Sequence, residues 1–222
     1  FPKYAASEDE KALTTLVSEC GYPLIAKSRF GKGTREMIQV GNQRDLKIVR
    51  SLKGYVVQEY IGDPDSEYTA GCFCDDKGQV KGVVVMHRRL MHGTTTWAEL
   101  GEFPEIREEV MKIAQALHPR GPCNVQLRLR GHAAVCFEIN VRFSGTTPMR
   151  VRLGFNEVEA ALRHFVLGEP AEDFPTIRSG MVMRYWNEMY ISSDAFSDLR
   201  DTGRLEDPHR YCLLVEDWGM NR

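Results

Sequence analysis

From Cys123 to Phe143 the chain alternates apolar and polar residues almost without a break. Val125, Leu127, Leu129, Val135, Phe137, Ile139, Val141 and Phe143 fall on odd positions. Asn124, Gln126, Arg128, Arg130, Glu138, Asn140 and Arg142 fall on even ones. A period of two belongs to a β-strand with one buried face. Gly131 marks a turn, so the stretch predicts a hairpin with Phe137, Ile139, Val141 and Phe143 packed inward. Partners opposite one another share a face, so polar positions meet polar positions only across a loop of odd length. A Gly131-His132-Ala133 loop would set Arg130 opposite Ala134, Gln126 opposite Glu138 and Asn124 opposite Asn140.

The rest of the chain alternates between the two periods. Ser7 to Glu10 (S-E-D-E) has the form of a capping box before a helical run ending at Cys20-Gly21. Strands are predicted at Tyr22–Lys27 and 36–40, on either side of a glycine-bearing loop at 30–35. A helix capped by Asn42 and reaching Leu52 follows, then a strand at 55–60 and a break at Gly62-Asp63-Pro64-Asp65. Glu67–Cys74 and 80–90 read as an antiparallel pair turning at 75–78, and 92–96 as polar loop. Ile106, Val110, Ile113, Ala114 and Leu117 share one helical face, predicting a helix over 104–117. A helix over 156–166, a strand over 181–190 and a last strand near 211–215 complete the reading. Helices with mostly antiparallel strands make the class α+β.

Composition adds bounds. The 222 residues are 42% hydrophobic and 27% charged, with a formal charge of -2. That is an ordinary globular balance with no whole-chain reason to expect a nucleic-acid or membrane partner, and a cytoplasmic location is expected. The six cysteines make no C-x-x-C pair and lack zinc-ligand spacing, so they read as reduced core thiols.

The polar hairpin face carries amide and carboxylate oxygens from Gln126, Glu138 and Asn140, donors that suit Mg²⁺ or Mn²⁺. Arg142 adds a cationic fork for a nearby anion. A solvated sheet face is the plainer reading, and spacing alone leaves both open. Earlier in the chain, Lys27 ends a strand and Gly31, Lys32, Gly33 and Thr34 follow it. Glycines let backbone N–H groups approach an anion, although this is not the P-loop pattern. Glu59, Tyr60 and Ile61 end another strand, with Glu67 just beyond. Arg88, Arg89, Arg150 and Arg152 are candidates for holding a carboxylate, and for each of them a solvated role is the alternative.

The stretches YPLIAKSRFGKGT, VVQEYIGDPDSEYT and NVQLRLRGHAAVCFEINVRFSGTT, in this order, resemble the ATP-grasp superfamily, and most closely the ATP-grasp units of carbamoyl-phosphate synthetase large subunits. The resemblance covers residues 1 to about 166. Its specific part is the Gln on one strand followed by E-I-N-x-R on the next. It implies an ATP-grasp fold of two lobes, with residues 1–60 as the small lid lobe, 61–190 as the metal-bearing lobe and 191–222 as an extension of unknown role. It further implies that Lys27 holds ATP phosphates under the Gly31–Thr34 lid, that Glu59, Tyr60 and Ile61 surround adenine, and that Glu67 meets the ribose. Gln126, Glu138 and Asn140 become metal ligands, Arg142 steadies the phosphorylated intermediate, and His92 lies where the family closes over the nucleotide. Ser28 stands where many members have proline, and Gln126 where many have a carboxylate. An N-terminal α/β domain and an upstream basic phosphate contact are also implied, so the chain is expected to be part of a longer protein.

The implied chemistry is activation of a carboxylate by ATP as an acyl phosphate, then attack by an amine or similar nucleophile. Small-molecule carboxylate and amine substrates are the expected partners. Bicarbonate, an amino acid and a larger carboxylate all remain compatible, and oligomeric state is left open. The alternatives are a non-catalytic nucleotide-binding module and an α+β interaction domain without nucleotide.

Overall fold

A computed structural model describes residues 1–30, 37–175, 177–186, 189–204 and 212–214. The described chain divides into two compact units, 1–183 and 184–222.

The first unit begins with a four-stranded antiparallel sheet in the order β1 (Tyr4–Ala6), β4 (Tyr55–Glu59), β2 (Leu24–Ser28), β3 (Met37–Val40). Helices α1 (Glu10–Cys20) and α2 (Gln43–Ser51) supply Leu13, Leu16, Leu46 and Val49 to a core shared with Leu24, Ala26, Val40 and Val57. The alternation within β2 therefore turns Leu24 and Ala26 into this core and leaves Ile25 and Lys27 on the other face. Asn42 caps α2 as the sequence predicts, accepting from the N–H groups of Arg44 and Asp45. The cap of α1 differs. Asp9, not Ser7, accepts from Ala12 N–H at 2.9 Å. Ser7 is buried and links two loops instead, donating to Leu52 O at 2.9 Å and accepting from Tyr55 N–H at 3.2 Å.

The second sheet has six antiparallel strands, ordered β10 (Gly180–Met183), β7 (Thr94–Leu100), β6 (Val80–Met91), β5 (Glu67–Cys74), β8 (Gly121–Arg130), β9 (Ala133–Asn140). Helix α3 (Pro104–Leu117), with proline in its first turn, packs Ile106, Val110, Ile113 and Ala114 on one face of this sheet. Cys72, Cys74, Cys123 and Cys136 lie in that core as free thiols. Burial pushes Cys123 and Cys136 up to about 11, which keeps them protonated. On the opposite face, Phe73, Val84 and Met86 pack beneath α4 (Thr147–Val151) and the segment after it, through Met149 and Phe155.

Several expectations are corrected. The segment expected as loop at 92–96 is the turn and start of β7. His92 and Gly93 both have positive φ, as in a two-residue hairpin turn, and three threonines after them are polar yet β-branched. The helix expected over 156–166 is α5 (Glu157–Ala161) followed by a π-helical turn at Leu162–Val166. The apolar stretch 181–190 is shared by β10 and by β11 (Met189–Ile191), strands of two separate sheets, which alternation alone does not distinguish. In the second unit β11 pairs with β12 (Cys212–Leu214), and α6 (Ser193–Thr202) is capped by Ser192. Among the described residues, no helix is long and apolar enough to cross a membrane.

Candidate functional site

The β8–β9 hairpin sets the geometry. Its turn is Gly131-His132 alone, because Arg130 pairs with Ala133 and not Ala134. That even loop reverses the predicted parity for Ala133 to Cys136. An irregularity at Phe137, between the pairs Leu127–Cys136 and Gln126–Glu138, then restores it. This extra residue is a β-bulge. Gln126 therefore does lie opposite Glu138, and Asn124 opposite Asn140, but through a bulge and not a longer turn. Cys136 joins the core, whereas Phe137 moves to the polar side and lines a pocket with Glu138. β9 ends at Asn140, leaving Val141 and Phe143 exposed and not packed inward.

The pocket encloses about 140 Å³ between the two sheets of the first unit. Lys27, Glu59, Tyr60, Ile61, Glu67, Gln126 and Glu138 line it, joined by Arg128, Phe137, Met37 and Leu90. Residues far apart in sequence are thus gathered on one cavity. Gly31, Lys32, Gly33 and Thr34 lie outside the described residues. His92 sits exposed at the β6–β7 turn and is not among the lining residues.

Lys27 is half-buried and, among the described residues, has no ion-pair partner. Its Nζ lies 3.5 Å from Phe137 O and 5.1 Å from the centre of the Phe137 ring. Burial, opposed by the Glu138 charge and reinforced by Arg128, holds its pKa below the ordinary lysine value.

Glu138 Oε1 accepts from Gln126 Nε2 at 3.0 Å and from Asn140 Nδ2 at 2.7 Å. The amide oxygens are also engaged: Arg88 donates to Gln126 Oε1 at 2.8 Å, and Arg142 to Asn140 Oδ1 at 3.1 Å. Glu138 Oε2 accepts no hydrogen bond from the described residues. Among those residues, no three His, Cys, Asp or Glu side chains form a metal-binding cluster, so any cation here relies on amide oxygens as well.

Glu67 is buried and double-clamped. Its Oε1 accepts from Arg88 Nη2 and its Oε2 from Arg128 Nη2, both at 2.7 Å. Each guanidinium adds a second bond through Nε at 3.2 Å to that same oxygen, so each arginine holds one carboxylate oxygen with two charge-assisted hydrogen bonds. Arg128 also donates to Ile61 O at 3.3 Å and lies 5.0 Å from the Tyr60 ring centre. Burial works against its charge, yet Glu67 and Tyr60 hold its pKa above the ordinary arginine value. Glu59 Oε1 accepts from Arg130 at 2.6 Å, and its Oε2 from the Lys3 backbone N–H at 3.2 Å. The strand end expected to surround a base is therefore braced to the chain's first residues.

Arg128 and Phe137 are pocket residues that sequence reasoning missed. The even-position rule put Arg128 on the correct face, but nothing local revealed the bulge that brings Phe137 beside it. Arg150, a candidate for carboxylate binding, is wholly buried and paired with Glu157 at 2.6 Å, so it offers nothing to a ligand. Arg88 is likewise buried against Glu67, while Arg152 is exposed. Arg89 is exposed and stacked near Trp97, with Asp65 at 3.7 Å.

Residues 51–189, more than half of the chain, match the family described as "ATP-grasp in the biosynthetic pathway with Ter operon". The chain belongs to the ATP-grasp family. Among curated relatives, the carbamoyl phosphate synthase large chain of Pseudomonas syringae is 26% identical over 162 residues, covering 66% of this chain and 15% of its own. That of Pseudomonas aeruginosa is 28% identical over 159 residues, covering 65% and 15%. The N5-carboxyaminoimidazole synthetase of Staphylococcus aureus, solved with ADP, superposes with a TM-score of 0.65 at 16% identity. It covers 81% of this chain and 50% of its own. The N5-carboxyaminoimidazole ribonucleotide synthetase of Thermus thermophilus gives 0.64 at 16%, covering 97% and 63%. These likenesses establish the ATP-grasp fold. This chain spans only about a seventh of the curated relatives' length.

Proposed function

We propose that this ATP-grasp chain carries the nucleotide- and metal-binding part of a ligase that activates a carboxylate as an acyl phosphate for attack by an amine or similar nucleophile. The observation that carries the reading is the pairing of Lys27 with Glu138 on one pocket. Among the described residues, a half-buried ammonium without an ion-pair partner faces the same hollow as a carboxylate with one unengaged oxygen. The Staphylococcus aureus synthetase, solved with ADP, supports a nucleotide as the ligand of this fold.

Tyr60 and Ile61, with Met37 and Leu90, give the pocket an apolar wall suited to a purine ring. Lys27 supplies positive charge for the phosphates, and among the described residues it forms no ion pair that would have to break first. The donor set of Gln126, Glu138 and Asn140 fits Mg²⁺ or Mn²⁺. It offers only oxygen ligands and one carboxylate, with water and phosphate left to complete the shell. When bound, the cation neutralises charge on the triphosphate and on the phosphoryl group in transfer. Gln126 and Asn140 would then exchange their bonds to Arg88 and Arg142 for the cation, and Arg142 would be released to an anionic intermediate. Glu67, with both oxygens clamped, acts here by holding Arg88 and Arg128. The Gly31–Thr34 lid and His92 are proposed as closing elements that exclude water from a hydrolysable intermediate. Residues 1–60 would form the lid lobe, 61–190 the metal-bearing lobe and 191–222 an extension.

The test is Glu138→Ala in the intact polypeptide. Divalent-cation-dependent ADP formation should vanish while the melting temperature holds. Turnover like that of the unaltered protein would sink the metal assignment.

A further inference from the structure

Arg150 and Glu157 are the only residues of their size and charge that the described fold hides completely, both at 0% exposure. Glu157 Oε1 accepts from Arg150 Nε at 3.1 Å, from Arg150 Nη2 at 2.6 Å and from the Thr147 hydroxyl. Its Oε2 is buried with no hydrogen-bond partner among the described residues. The same guanidinium donates to Ser144 Oγ at 3.1 Å and to Asn124 Oδ1 at 3.5 Å. One side chain thus ties together β8, the turn after β9, α4 and α5. β5 is shaped to admit it: a Cβ on Gly71 would fall 1.9 Å from Arg150 Nη1, and Gly71 is the register partner of Asn124.

A pair desolvated this fully adds little stability, since apolar side chains of similar volume often serve as well or better. What such a pair can do is fix geometry. Asn124 lies directly opposite Asn140, and Ser144 lies two residues beyond Arg142. Arg150 therefore grips the fold on either side of the segment that carries both residues.

We propose that the Arg150–Glu157 pair is a positioning device for the cation and phosphate site, pinning the Asn140–Ser144 segment so that Asn140 faces the Glu138 carboxylate and Arg142 stays against the Asn140 amide. The claim about the cation rests on the ligase reading; the claim about the segment does not. Two variants of the intact polypeptide separate them from simple loss of stability. Gly71→Ala pushes a methyl group against the guanidinium without changing charge. Arg150→Met combined with Glu157→Leu removes the pair and keeps the volume.

Two readouts apply to both variants: amide hydrogen exchange over 138–147, and Mn²⁺ titration in the presence of ADP, followed by electron paramagnetic resonance. Exchange should quicken in that segment and not in α1 or α2. Mn²⁺ should bind about 10- to 100-fold more weakly, the usual cost of losing an outer group that orients a metal ligand, with metal-free ADP affinity unchanged. A Met/Leu variant that melts near the unaltered protein and keeps its exchange pattern and Mn²⁺ affinity would overturn the proposal. If the unaltered protein fails to bind Mn²⁺ with ADP, the ligase reading falls, and the exchange experiment still decides the role of the pair.

Discussion

Lys27 rests against Phe137, its Nζ 3.5 Å from the backbone oxygen and 5.1 Å from the ring centre. Phe137 is the bulged residue of β9, and the Arg128 guanidinium lies 5.7 Å from the same ring. One extra residue in a strand thereby supplies the apolar surface that dries the lysine and a ring that two cations approach.

That arrangement predicts an alkaline pH dependence. Burial lowers the Lys27 pKa, so the folded chain holds fewer protons at this site than the unfolded chain between the lowered value and 10.5. Stability should rise with pH through that window. A phosphate beside Nζ favours the charged form, so ADP binding should take up protons there. Calorimetry in two buffers of different ionisation enthalpy measures the uptake, which Lys27→Met should abolish. The same substitution should weaken ADP binding about 10- to 100-fold, the worth of one charge-assisted hydrogen bond.

Deleting Phe137 should leave the ladder standing, because Leu127–Cys136 and Gln126–Glu138 then become consecutive regular pairs. Exchange protection across β8 and β9 should persist, and the Lys27 pKa should climb back toward 10.5 as its cover is lost. Loss of protection throughout β9 would show that the bulge is needed for pairing itself.

Glu67→Ala should be costly to the fold. It leaves Arg88 and Arg128 facing each other with no carboxylate between them, a loss of about 3–5 kcal/mol for breaking a buried pair. Urea denaturation measures it. A Glu67 variant that is fully stable but weak in nucleotide binding would instead favour direct contact with the ribose.

Ser7→Ala should destabilise by about 1–3 kcal/mol, since it leaves two part-buried partners, Leu52 O and Tyr55 N–H, without their hydrogen bonds. Asp9→Ala should cost about 1 kcal/mol as the loss of a helix cap. Thermal melting of the two variants distinguishes the bridging role of Ser7 from the capping role of Asp9.

Much of the candidate site's arrangement was legible beforehand. The period-two pattern put Gln126 and Asn124 on one face of β8 and Glu138 and Asn140 on one face of β9, and Asn42 announced its helix. These are local matters: which side of a strand is apolar, and which side chain can satisfy an open N–H, are decided by neighbours within a few residues. The family pattern pointed in addition to Lys27, Tyr60 and Ile61, which the fold brings to the same pocket.

Tertiary structure alone decided the rest. The two-residue turn and the bulge cancel each other's change of parity, an outcome that depends on how β9 pairs across to β8 and not on β9 itself. Ser7 traded a capping role for a bridge because Leu52 and Tyr55, more than forty residues away, come to lie beside it. Arg142 and Arg150 look alike in the sequence, yet one is exposed and the other is sealed with Glu157 above a glycine on β5. A charged side chain shows its role only once its partner and its solvent exposure are known, and both are set by contacts distant along the chain.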